Sequence, residues 1–379
     1  MEAARKIETE ISFNITIDKS VLLKSVSKLQ SIVEKRNTIP ILSNIKLEAN
    51  GGILTLTVTD MDLVASEQIE AEISSEGSLT VPALTLYDII RKLPEGSKIN
   101  LEADSASSQV IVNSGSSNFK LSYLPADDFP VMSEGDLTHK FTLPAKSFIK
   151  LIDKTKFAMS NEETRYYLNG VYFHVNEGNL KAVATDGHRL ASIDLDIPEG
   201  ANGMPGIIIP RKAVNEISKL LESQEEVQIA LSDSKIKFNA GKVELLSKVV
   251  DGTFPDYQRV IPENNTKALN ISADDFKEAV DRVSTISTDK TKAIKVILSK
   301  NNVTLKSQGI EGSSAKEDIV AEYDDEELEI GFNSRYILEM MGQIEAENFS
   351  MVFDNPNSPV LVQDPKDSQA VYIVMPMRV

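Results

Sequence analysis

The sequence predicts an α+β fold made of three repeated modules, each with two helices packed on antiparallel sheets. Three observations predict it. The chain has 379 residues, more than one ordinary hydrophobic core spans, which calls for two to four domains. One order of strands and helices recurs at spacings of 127 and 128 residues, seen at Ser20, Ser147 and Asp275. Within each copy, apolar residues alternate in twos where strands are expected and fall three or four apart where helices are expected.

Each copy opens with an alternating strand: Phe13–Asp18, Lys140–Ala145 and Ala268–Ala273. An amphipathic helix follows, with Leu22, Leu23, Val26 and Leu29 on one face in the first copy and Phe148, Ile149 and Ile152 in the second. Next come Leu54–Asp60, Leu180–Asp186 and Val303–Gln308, then Leu79–Pro82, Ile207–Pro210 and Glu329–Phe332. Each of the last set precedes a second helix, ALTLYDIIRKL, RKAVNEISKLL or NSRYILEMMGQI. Turn residues separate the strands, as at Asn50-Gly51-Gly52, Glu177-Gly178 and Asn113-Ser114-Gly115. The first two copies end in DDFP (Asp127–Pro130) and GTFP (Gly252–Pro255). The alternative, three unrelated α+β domains, does not account for landmarks that keep their order.

Composition narrows the function. No apolar run reaches the ~20 residues that cross a bilayer, and MEAARKIETE at the start has no apolar stretch of signal-peptide type. Cys is absent, which excludes disulfides, thiolate zinc sites and a cysteine nucleophile and fits a cytoplasmic protein. Forty Lys and Arg against 57 Asp and Glu leave a net charge of −17, which argues against nucleic acid unless the basic residues are segregated. They are. Four lysines against Asp153 leave +3 over 145–157, with Lys146, Lys150 and Lys154 on one helical face. The net charge is +2 over 18–30, where Lys24 lies, and +1 over both 83–93 and 211–222, the latter holding Arg211 and Lys212. The third copy breaks the trend, with −2 over 273–285. A lysine stripe alone is commonly a solvated face. Its repetition at equivalent places favours sequence-blind phosphate contact.

Catalytic chemistry has little support. The histidines are His139, His174 and His188, without metal-ligand spacing around them, and no phosphate loop or nucleophile elbow is present. Neither a catalytic residue, a metal nor a cofactor is expected. Asp60 with Asp62, and Asp324 with Asp325, read as exposed acidic turns. Two segments stand out as binding surfaces. TDGHRLA at 185–191 brings polar groups and an apolar residue to a Gly turn. The chain end, VYIVMPMRV, places Pro376 between Met375 and Met377, so the last strand is expected to end or fray there, leaving adaptable methionines.

With RYYLNG at 165–170, GTFPDYQRVIP at 252–262, GFNSRYIL at 331–338 and TIPILSNI at 38–45, these segments strongly resemble the bacterial replicative sliding clamps, the β subunits of DNA polymerase III. The resemblance covers 13–379 with the motifs in family order. It implies clamp domains at 13–134, 138–263 and 267–379 after an extension at 1–12, closing as a head-to-tail homodimer into a six-domain ring. It also implies a peptide pocket between the second and third domains. That pocket would comprise Leu168, Thr185, Gly187, His188, Arg189, Leu190, Pro255, Arg259, Val260, Asn333, Tyr336, Val374, Met375, Pro376, Met377 and Arg378. Arg189 and Asn333 would hold the peptide's polar groups. For DNA, Arg36, Arg165, Tyr166, Tyr167, Arg211 and Lys212 take the family's positions, beside Lys24, Lys150 and Lys154 from the charge pattern. The implied partners are duplex DNA read without sequence preference, the DNA polymerase III core, the clamp loader, and other polymerases and repair proteins, with no membrane.

Two departures are visible. The family's small hydroxyl residue near Pro359 is not matched, and Ser108–Phe119 has no Lys or Arg to face the acidic 316–329. Apolar burial is therefore expected to outweigh ion pairs at a ring joint. Two readings compete with the clamp: an interaction scaffold without DNA encirclement, and an enzyme using His188 and Asp186, for which no nucleophile–base set can be assembled.

Overall fold

The computed structural model describes residues 12–34, 38–287 and 292–378. Six α-helices lie among them: α1 (Lys19–Leu29), α2 (Ala83–Lys92), α3 (Ala145–Lys156), α4 (Arg211–Leu221), α5 (Ala273–Ser284) and α6 (Ser334–Met341). They fall where the apolar spacing put them, two to a repeat. Every ladder between the strands is antiparallel, and the longer strands alternate buried and exposed residues, as in Ile53–Thr59 and Ala293–Ser299. Two-residue hairpins use the expected turns: Gly51 and Gly52 have φ of +57° and +81°, and Glu177 and Gly178 have +52° and +78°.

The chain divides into two compact units that cut across the repeats, one of 1–148 with 215–248, the other of 149–214 with 249–379. Each holds one terminal repeat and part of the central one. In the first unit, a five-stranded sheet orders Glu72–Ser75, Asn14–Asp18, Lys98–Asp104, Gln109–Ser114 and Ser117–Ser122. A nine-stranded sheet runs from Leu124–Pro125 to His139–Pro144. At its middle, Leu63–Glu70 of the first repeat pairs antiparallel with Val243–Lys248 of the second. Helices α1 and α2 lie side by side, and α1 buries Leu22, Val26 and Leu29.

The second unit repeats the device. Its eight-stranded sheet joins Arg189–Asp196 of the second repeat to Ala370–Val374 of the third, again antiparallel, with Arg189 opposite Val374. A four-stranded sheet orders Ser314–Val320, Asn302–Gln308, Ala293–Ser299 and Leu328–Asn333. Helices α5 and α6 pack together, and α5 buries Phe276, Ala279, Val280 and Val283. Ser272 caps α5 by accepting from the Asp275 amide, which satisfies one of the free donors at the helix start.

Candidate functional site

The Thr185–Ala191 segment is shaped by its own side chains. Asp186 Oδ1 accepts from the amides of His188 and Arg189 at 2.9 and 3.0 Å. Thr185 Oγ1 donates to the Arg189 carbonyl at 2.6 Å and accepts from the Gly187 amide at 3.1 Å. Gly187 sits at φ +87°, which favours glycine; a Cβ there would lie 2.7 Å from an Arg165 guanidinium nitrogen, a contact the flexible arginine can relieve by moving. The turn delivers Leu190 into an apolar cluster with Leu168, Val183, Ile208, Phe254, Tyr257 and Ile373. Tyr167, Tyr172, Ile261 and Leu361 pack against that cluster. The turn Tyr257–Val260 forms its rim, with Pro255 and Arg259 exposed and Val260 41% exposed.

Of the expected pocket residues, Leu168 and Leu190 share this cluster, and Thr185, Gly187, His188 and Arg189 lie on the turn that leads into it; several are engaged otherwise than expected. Arg189 is buried: its guanidinium donates to Asp186 at 3.1 Å and to the Phe157 carbonyl at 2.6 Å, lies 2.6 Å from Glu339, and stacks 4.5 Å from the Tyr336 ring. Its guanidinium is thus engaged within the chain, by Asp186, Phe157, Glu339 and Tyr336. Burial pushes the Glu339 carboxyl up, but hydrogen bonds from Arg335 and Arg189 outweigh it and hold the group below its ordinary range. The Asn333 side chain is likewise engaged, accepting from the Arg335 and Tyr336 amides as the N-cap of α6. His188 is exposed, its ring stacked 6.1 Å from Tyr336.

The last strand ends before Pro376, as expected. The strand stops at Val374, which is buried, but the Met375 amide donates to the His188 carbonyl at 2.8 Å and the Met377 amide to that of Gly331 at 2.9 Å. Met375, Pro376 and Met377 are half-buried and Arg378 exposed. The aromatic wall of Tyr172, His174, Phe254 and Tyr257 was not anticipated. Tyr172 and His174 are two apart on one strand, which the alternation shows, but their partners lie some eighty residues on.

The basic candidates divide. Lys24 on α1 is exposed, and Tyr166 is 53% exposed with its ring edge-on to Tyr167. Arg165 makes a two-pronged bond to Glu162 at 2.8 and 2.6 Å, which chiefly raises its pKa. Arg211 is half-buried and donates to the Ser160 carbonyl; burial lowers its pKa, and nearby Arg189 adds to this. Lys212 is half-buried, and Arg36 lies outside the described residues. The α3 stripe is corrected. Lys150 donates to Asp367 at 2.9 Å, and Lys154, 7% exposed, is bound by Glu345 at 2.7 Å and by the Gln343 carbonyl. Lys154 is a buried anchor, because carboxylates of the third repeat close over it. The sheet edge of the first repeat also differs from the Ser108–Phe119 expected. The edge strand is Ser117–Ser122 and carries an exposed Lys120.

No helix among the described residues is long and apolar enough to cross a membrane. Models of the N-terminal, central and C-terminal domains of the DNA polymerase III β subunit match residues 13–133, 142–256 and 258–378. The β sliding clamp of Caulobacter vibrioides is 47% identical over 96% of this chain and its own full length, and that of Pseudomonas aeruginosa is 37% identical over the same shares. A crystal structure of the Bartonella birtlesii sliding clamp bound to griselimycin is 46% identical, with a TM-score of 0.94 over 97% of this chain and all of that one. The Caulobacter crescentus clamp, crystallised with polyethylene glycol, is also 46% identical, with a TM-score of 0.93 over 98% of this chain and all of that one. Three clamp-domain matches along one chain, on a fold that superposes over nearly its whole length, place this protein in the family of bacterial DNA polymerase III β subunits, the β sliding clamps.

Proposed function

We propose that two copies of this chain close a ring around duplex DNA and tether the replicative polymerase and other replication or repair proteins to it, without turnover chemistry of its own. One observation carries the ring. The same strand junction is built twice within the chain, Leu63–Glu70 against Val243–Lys248 and Arg189–Asp196 against Ala370–Val374. The equivalent strands of the remaining junction, Ser314–Val320 and Ser117–Ser122, each end their sheets. A second copy supplies the missing partner to each, head to tail, so two chains have two such joints and close a ring. Phe119 and Val320 are exposed on these edges, and Lys120 faces a strand that carries Glu317 and Asp318. The joint therefore rests chiefly on apolar burial, since Glu317 and Asp318 are already paired with Arg282 and Lys316.

The apolar cluster with its Val260 rim is the docking pocket for short peptide tails of the polymerase core, clamp loader and repair proteins. One buried aliphatic or aromatic anchor contributes ~1.5–3 kcal/mol there. Lys24, Tyr166, Tyr167, Arg165, Arg211 and Lys212 contact phosphates without reading bases, a weak interaction that permits sliding. The test is retention. Protein loaded on circular DNA should stay bound and should be lost when that DNA is cut once, because a ring runs off an end. Equal retention on both forms would leave an interaction scaffold as the better account.

A further inference from the structure

The rim of the pocket hangs from one strand by an aromatic stack. His174 and Tyr172, two apart on Gly170–Asn176, project from the same face and stack 4.4 Å apart. Tyr172 in turn stacks on Phe254 at 4.8 Å with the rings 7° from parallel. Tyr257 stands edge-on to both His174 and Phe254, and its hydroxyl lies 3.1 Å from His174 Nε2. Tyr257 begins the turn that ends in Val260, and Phe254 precedes Pro255, so both wall residues are fixed by this contact. Burial pushes the His174 imidazole down to about 4 and the Tyr257 hydroxyl up to about 12, so both are neutral. In the neutral imidazole one ring nitrogen is free of a proton, and with Nε2 in that state it accepts from the Tyr257 hydroxyl.

We infer that His174 is a positioning residue for the peptide pocket, acting through its hydrogen bond to Tyr257 to hold the Pro255–Val260 rim against the Leu190 cluster. The inference rests on the reading of that cluster as the docking pocket. His174 touches no ligand itself. It removes the freedom of a turn that would otherwise be ordered at binding, so its loss appears as weaker affinity.

The probe is griselimycin, titrated calorimetrically into the full-length chain. Tyr257→Phe and His174→Phe keep the stack and remove the hydrogen bond. Each should weaken binding about five-fold, the size of one net hydrogen bond. His174→Gln, which restores an acceptor opposite Tyr257, should recover most of the loss. A double variant, Tyr257→Phe with His174→Phe, should bind no worse than either single one, since both remove one bond. If wild-type protein and the phenylalanine variants bind equally tightly, the His174–Tyr257 hydrogen bond does not position the rim. If the loss appears without rescue by His174→Gln, the role is packing and the inference fails too. If wild-type protein does not bind griselimycin while remaining folded and dimeric, the pocket reading itself is at fault, and with it this inference.

Discussion

Reversing the charge at Lys154 should destabilise the fold and leave DNA retention to follow only through that loss. Lys154 Nζ lies 2.7 Å from Glu345 and 3.9 Å from Asp367, which is itself buried. At an effective dielectric constant of ~20, one unit pair at that longer distance interacts by about 4 kcal/mol. Lys154→Glu turns this attraction into repulsion. The new carboxyl has one escape, since it can take up a proton, which at pH 7 costs about 4 kcal/mol from an ordinary glutamate value. Either route leaves Asp367 with Lys150 alone and gives a destabilisation of about 3–5 kcal/mol, as for other broken buried pairs.

In scanning calorimetry this corresponds to a transition roughly 6–20 °C lower for a unit of this size. Lys24→Glu is the contrast. Its exposed site should leave melting within ~0.5 kcal/mol of the parent, while equilibrium affinity for a short open duplex becomes weaker and less dependent on salt. An anchoring role is refuted if Lys154→Glu melts with the parent yet loses affinity for the open duplex as Lys24→Glu does. Lys154 would then be a phosphate contact and not an anchor.

Two other perturbations test the pocket. Val260→Asp places a charge on the apolar rim at a half-exposed site, so melting should barely change while griselimycin affinity, by calorimetric titration, falls at least about ten-fold; unaltered affinity would remove Val260 from the pocket. His174 supplies a pH signature, because the buried imidazole, at about 4, refuses a proton that the unfolded chain accepts below about 6.5. Stability from this group is full above pH 6.5 and is lost as the pH falls toward 4, about 2 kcal/mol by pH 5. Carboxyls such as Glu345, held low chiefly by its hydrogen bond to Lys154, act below that window. The melting temperature of His174→Phe should therefore be flatter than wild type between pH 6.5 and 5, and parallel curves would mean that the ring is not buried neutral.

The repeat architecture was legible because period is a property of sequence: helices α1 to α5 and the strands before all six helices lie within two residues of the expected segments, and α6 stops three residues early. The exchange of edge strands between repeats was not, since pairing Leu63–Glu70 with Val243–Lys248 spans some 180 residues and no local pattern names the partner. The same limit explains the α3 lysines. A four-residue spacing tells which face they share, but the carboxylates that claim Lys150 and Lys154 lie about 190 to 220 residues later. Asn333 was a different case. An Asn before SRYIL carries a helix-start signature, and the competing expectation of a ligand contact obscured it. Arg189 shows the converse, because Asp186 three residues earlier fixes the turn, while Phe157 and Glu339, which decide its burial, are remote.

The corrected lysines change the physical picture of the DNA contact. Counting charges along helices makes α3 the most basic, yet Lys150, Lys154 and Lys156 all sit in ion pairs with Asp367, Glu345 and Asp153. On α1, Lys19 pairs with Glu95 and Lys28 with Glu67, which leaves Lys24 as the exposed cation of that group. Cations spent on the fold contribute little to counterion release, so affinity for a bare duplex should be low and should fall only gently with salt. A chain of net charge −17 then gains nothing by adhering to DNA and everything by surrounding it. Enclosure explains how weak phosphate contact and long residence coexist, because the ring joint, and not the attraction, sets the time of escape.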